Sequence, residues 1–131
     1  MKGTNKQIEW ADNIIGDNIR KLRSAYNENK ERALELLELR LVKSKAKGKV
    51  TGIKSVERRI ALMKDMNTVF DYVLNADAAE IIRNRGHISS DNLIEDRDDE
   101  FFEEDSHVWS LITQCSALCY GFAEEKYRIE Y

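Results

Sequence analysis

No proline occurs anywhere in the 131 residues. Proline lacks a backbone N–H and its ring collides with the preceding turn, so it ends or kinks helices. A chain without it is free to run in long ones. The apolar spacing then sets where they lie. Ile8, Ala11, Ile15, Ile19 and Leu22 recur at three and four, with Trp10 and Ile14 widening the stripe. Thr4 stands before them as an N-cap whose hydroxyl accepts from backbone N–H groups of the first turn. Gly16 interrupts the stripe, weakening the helix locally by about 1 kcal/mol relative to alanine. Asn27 and Asn29 are read as a break, and residues 31–47 as a second helix. There Leu36 and Leu39 add to the stripe of Ala33, Leu34, Leu37, Leu41 and Val42, so this helix is apolar on more than one face and is expected to lie between partners.

The string KGKVTG, with Gly48 and Gly52, is the clearest interruption and reads as a loop or short hairpin. Ser55 is expected to cap a third helix that buries Val56, Ile60, Met63, Val69, Phe70, Val73 and Leu74. Asp77 opens a short helix, DAAEIIRNR, which Gly86 should stop. Residues 87–105 are the least structured stretch, with a short helix from Ser90 and then an acidic run. Ser106 caps a strongly apolar final helix carrying Val108, Trp109, Leu111, Ile112, Cys115, Leu118, Cys119 and Phe122, followed by an amphipathic tail, KYRIEY. The expected fold is all-α: one compact domain over residues 1–131, a bundle of five or six helices.

Composition excludes several classes. No apolar run approaches the length of about 18 residues needed to cross a bilayer. The opening MKGTNKQIEW lacks the apolar core of a secretory signal. Two cysteines do not make a disulfide scaffold. A cytoplasmic protein without membrane contact is expected.

The net charge of −3 conceals a polarity. Residues 1–66 hold 16 Lys and Arg against 9 Asp and Glu, or +7; residues 67–131 hold 5 against 15, or −10. The two halves either neutralise one another within a fold or across a homodimer, or offer a surface of one sign to a partner.

Two local concentrations carry most of this polarity. A basic loop region, 40–59, has Arg40, Lys43, Lys45, Lys47, Lys49, Lys54, Arg58 and Arg59 against Glu57 alone. Such a stretch meets phosphates without reading bases. No aromatic residue is interleaved with it, so base stacking is not expected there. The acidic segment, 95–105, has Glu95, Asp96, Asp98, Asp99, Glu100, Glu103, Glu104 and Asp105, with Arg97 the sole cation. Phe101 and Phe102 sit in its middle and either dock it on the domain's own core or anchor a partner. The carboxylates also favour the start of the helix that follows, through its dipole.

Enzymatic motifs are missing. GKVTG lacks the spacing of a phosphate-binding loop, and no nucleophile elbow occurs. Glu104 and His107 form one Glu-x-x-His pair, whereas di-metal bundles use two. Cys115 and Cys119, four apart on a helix, suit neither a relaxed disulfide nor a zinc knuckle and read as small apolar core residues. No cofactor, no metal and no catalytic residue is expected.

The stretch TNKQIEWADNI resembles the K-Q-x-x-W-A-x-x-I opening of small accessory proteins of Gram-positive phages and mobile elements, matched here by Lys6, Gln7, Trp10, Ala11 and Ile14. A second pattern of that group, D-A-K-F-W-I-D-N-R, is similar to DAAEIIRNR at Asp77, Ala78, Ile82, Asn84 and Arg85, and departs at Glu80, Ile81 and Arg83. The resemblance implies a phage or mobile-element setting, where small proteins act on host defence. The expected function is therefore a non-enzymatic, anti-CRISPR-like inhibitor of a host defence protein, such as a nuclease, binding through the acidic segment. The alternatives are a nucleic-acid-binding accessory protein using residues 40–59, or a protein sequestering a nucleotide signal through Arg58, Arg83, Arg85 or Arg128.

Overall fold

The computed structural model describes residues 1–88 and 105–122. These form four α-helices, α1 (Asn5–Lys47), α2 (Val50–Asn75), α3 (Ala78–Arg83) and α4 (Ser106–Phe122), with a 3₁₀ turn (Arg85–His87) after α3. No strand occurs among the described residues. The all-α expectation holds, and the count of five or six helices falls to four among these residues.

The count falls because α1 absorbs two expected helices. Thr4 caps it as anticipated: its hydroxyl accepts from the Gln7 N–H at 3.2 Å, while the Gln7 side chain accepts from the Thr4 N–H at 3.0 Å. The helix does not break at Asn27 or Asn29. Asn29 instead donates its side-chain amide to the Ala25 carbonyl, one turn back, at 2.9 Å, a bond the continuing helix tolerates. The interruption lies at Gly16, where the backbone leaves helical angles (φ 16°, ψ −125°) and α1 kinks.

α1 ends at Gly48, whose left-handed φ of 67° is the region open to glycine at little cost. Lys49 is the only other residue before α2 begins. The expected loop KGKVTG is thus a two-residue turn, with Gly52 inside the first turns of α2 and Ser55 an interior residue rather than a cap. Gly86 likewise does not stop a helix; α3 ends at Arg83, and Gly86 lies within the 3₁₀ turn.

α1 and α2 run antiparallel, and α4 packs across both. Their shared core includes Ile19, Leu22, Tyr26 and Leu37 of α1, Met63, Met66 and Phe70 of α2, and Leu111, Cys115 and Leu118 of α4. The Tyr26 hydroxyl donates to the Met63 carbonyl, and its ring meets Phe70 edge-on at 5.8 Å. Burial pushes the Tyr26 phenol above its ordinary pKa. At the rim, Arg23 reaches Asp71 at 3.1 Å and Asn67 at 3.2 Å. The N-terminal residues close the far end, with the Ala78 N–H donating to the Lys2 carbonyl at 2.8 Å. The 3₁₀ turn seats on α4 at Gly121, where a Cβ would come within 3.0 Å of the His87 ring.

The expected burial fails in three places. Trp10, on the edge of the first stripe, is 51 % exposed. Leu74 is 40 % exposed. Leu39 and Val42 are more than half exposed, so the second part of α1 lies between partners only as far as the buried Ala33 and Leu37, with Leu41 half-buried at the edge of the core. The last buried residue of α1 is Leu37 and the first of α2 is Val56. Residues 38–55 therefore form a helical hairpin without a single buried residue. Leu41 still packs half-buried on the edge of the core, and beyond it the hairpin projects by about 9 Å at 1.5 Å per residue.

Candidate functional site

The projecting hairpin carries Arg40, Lys43, Lys45, Lys47, Lys49 and Lys54 against Glu38 alone, a net charge of +5 over residues 38–55. All six cations are exposed, whereas Arg58 and Arg59 are half-buried further along α2. The region expected as a basic loop is thus two helices joined by a tight turn. Helical geometry holds its charges at fixed separations instead of on a mobile strand of chain.

Positions 40, 43 and 47 follow a three–four spacing and share one face of α1. That face and the start of α4 bound an open groove of about 640 Å³, lined by Leu36, Leu39, Arg40, Lys43, Ser44, Lys47, Asp105 and Trp109. Lys45, Lys49 and Lys54 lie outside it. The Arg40 guanidinium stands 5.0 Å from the centre of the Trp109 ring, within the range of cation–π attraction.

An ion pair places Trp109. Arg32 engages Asp105 through two parallel bonds, Nε to Oδ1 at 3.0 Å and Nη2 to Oδ2 at 2.6 Å, and also pairs with Glu35 at 2.8 Å. The hydrogen bonds from Arg32 hold the Asp105 carboxyl below its ordinary pKa. Asp105 adopts a left-handed φ of 71°, a conformation that aspartate tolerates better than most residues. From there its carbonyl accepts the N–H groups of Val108 and Trp109 at 3.0 and 3.1 Å. The pair thereby ties the first turn of α4 to the middle of α1 and sets the indole beside Arg40. It also partly offsets the one carboxylate in an otherwise cationic groove, the guanidinium being shared with Glu35.

Trp109 is absent from the site expected on sequence. It is 69 positions from Arg40, and its neighbours on α4 read as core. The charged stretch and the aromatic meet only in the folded chain.

Of the acidic segment, Asp96, Asp98, Asp99, Glu100, Phe101, Phe102, Glu103 and Glu104 lie outside the described residues. Asp105 is described, and it is bound to Arg32. Glu104 of the Glu-x-x-His pair is likewise outside, and His107 is exposed. Cys115 and Cys119 are free and buried, as expected, and burial pushes both thiols well up. Among the described residues no group of three or more His, Cys, Asp or Glu side chains could hold a metal ion. No helix among them is long and apolar enough to cross a membrane.

The arginines considered for a nucleotide signal do not share a site. Arg58 lies near the hairpin end of α2, while Arg83 and Arg85 lie beyond its other end; Arg128 is outside the described residues. The Arg85 guanidinium stands 5.7 Å from the Trp10 ring centre. Together with the Lys2–Ala78 bond, this contact brings the chain's opening stretch against DAAEIIRNR. A second, shallower groove of about 500 Å³ lies at that end, with Asp71, Asp77 and Glu80 among its lining residues. The two grooves thus differ in the sign of the charges that line them. Comparison with family models, curated proteins and solved structures finds no match for this chain.

Proposed function

We propose that this is a non-enzymatic nucleic-acid-binding accessory protein that works through the 40–59 stretch. The observation that carries the reading is the projecting hairpin: six exposed cations against one carboxylate, on a segment that contributes no buried residue to the fold. Charge concentrated on a rigid protrusion fits a polyanion. Binding displaces the counterions condensed on the phosphates, so affinity follows the salt concentration steeply.

Changing Lys43, Lys45, Lys47 and Lys49 together to alanine tests the proposal in a gel shift or anisotropy titration. Binding at low salt should fall at least about 100-fold, and the slope of log affinity against log salt should shrink by about one for each phosphate no longer neutralised. A wild-type protein that binds neither DNA nor RNA at low salt rejects the reading.

A second reading keeps the phage setting and makes the partner a host defence protein such as a nuclease, met by the acidic residues 95–105. What supports it is the density of charge in that segment, eight carboxylates against Arg97 alone. Reversing Asp98, Asp99, Glu103 and Glu104 to lysine should then abolish inhibition of the target. Full inhibition by the reversed protein rejects it.

A further inference from the structure

We infer that the groove between α1 and α4 takes an unpaired nucleotide strand, seating a base at Trp109 and Arg40 and its flanking phosphates on Lys43 and Lys47. The inference rests on the nucleic-acid reading and narrows it from polyanions in general to single strands. A purely electrostatic site needs only the cations. This groove also has a half-buried indole, a guanidinium held against it at 5.0 Å, and an apolar side formed by Leu36 and Leu39. Bases stack on aromatic rings and on arginine planes alike. In a duplex the base faces are covered by their neighbours, so only an unpaired strand offers one. Lys43 and Lys47 stand one helical turn apart along the same groove, about 6 Å. Two cations in line along the groove can meet successive phosphates of one strand. Arg32 offsets the Asp105 carboxylate only in part, because it is shared with Glu35, so the strand's phosphates are seated away from it, on Lys43 and Lys47.

The test uses the full chain with Trp10→Phe, which leaves Trp109 the only tryptophan and lies outside the groove. Labelled single-stranded DNA and RNA oligonucleotides of equal length, a duplex of the same sequence and polyglutamate are titrated at low salt. Single strands should bind about tenfold more tightly than duplex and quench Trp109 fluorescence, with duplex and polyglutamate leaving it unquenched. Trp109→Leu should reduce single-strand affinity by about tenfold and leave duplex affinity unchanged, while Trp109→Phe retains most of it. Quenching in the Trp10→Phe protein needs no groove variant, so it decides the matter even where Trp109→Leu fails to fold. Equal affinity for strand and duplex without quenching overturns the inference and leaves the nucleic-acid reading standing. Binding of polyglutamate as tight as that of the strands makes the site a general polyanion surface, suited to an acidic protein, and also overturns it. No binding to any nucleic acid overturns both. A preference between DNA and RNA strands identifies which source the groove serves.

Discussion

The hairpin and the body of the molecule are made from the same two helices, yet they solve opposite problems. From Val56 onward α2 places Leu62, Met63, Met66, Val69, Phe70 and Val73 out of water. In the preceding residues, and across the turn back to Glu38, nothing is buried, and Leu39, Val42 and Val50 remain more than half exposed. Stability resides where apolar area is removed from solvent, at about 25 cal/mol per Å². Charge is concentrated where little is, with Leu41 and Ile53 only half-buried among the cations. The contrast separates the residues that hold the fold from those free to serve a ligand, so a substitution on one side should leave the property of the other side intact.

The sharpest way to break that separation is in the body. Phe70 is fully buried and meets Tyr26 in an edge-to-face pair. Phe70→Ala should cost about 3–5 kcal/mol, a large part of the stability of a domain this size, and lower the thermal midpoint by many degrees. Because the charges remain on the hairpin, the fraction still folded should bind nucleic acid normally. A smaller effect is expected at the turn. Gly48→Ala meets no neighbour, so its cost is that of holding a side chain in the left-handed region, about 1 kcal/mol. It should lower the midpoint slightly, and a larger fall would mean that the hairpin contributes to the core after all. The least effect on stability belongs to the fourfold lysine-to-alanine protein. Its midpoint should stay the same or rise a little as like charges are removed, even as its affinity collapses. A midpoint that fell with the affinity would erase the distinction between the two regions.

Much of the body was legible from periodicity alone. Ala11, Ile15, Ile19 and Leu22, then Val56, Met63, Val69, Phe70 and Val73, then Leu111 through Phe122 are core residues at the positions their spacing implied. The Thr4 cap was legible because a capping box is a local chemical signal. Boundaries were harder. Asn27 and Asn29 have weak helix propensity, but tertiary packing on Tyr26 and Ala33 carries α1 through them. Gly52 and Ser55 looked like loop and cap because propensity favours those roles; the hairpin places them inside a helix instead. Half of the groove was visible as a charge run. The other half, Trp109 and the Arg32–Asp105 pair, depends on where α4 crosses α1, and no spacing within either segment reports that crossing.

The two-residue turn at Gly48 and Lys49 bears on the order in which the chain assembles. Contacts between α1 and α2 nest outward from it: Tyr26 meets Met63 at a separation of 37 positions, and Arg23 meets Asn67 at 44. Loop-closure entropy rises slowly with length, so the two long helices can zip together early through mainly local steps. α4 joins over longer loops, with Met66 and Cys119 separated by 53 positions and Arg32 and Asp105 by 73. The groove has no second wall until that docking is complete. A ligand seated against Trp109 would therefore meet its site only at the end of folding, and by mass action it would hold α4 in place.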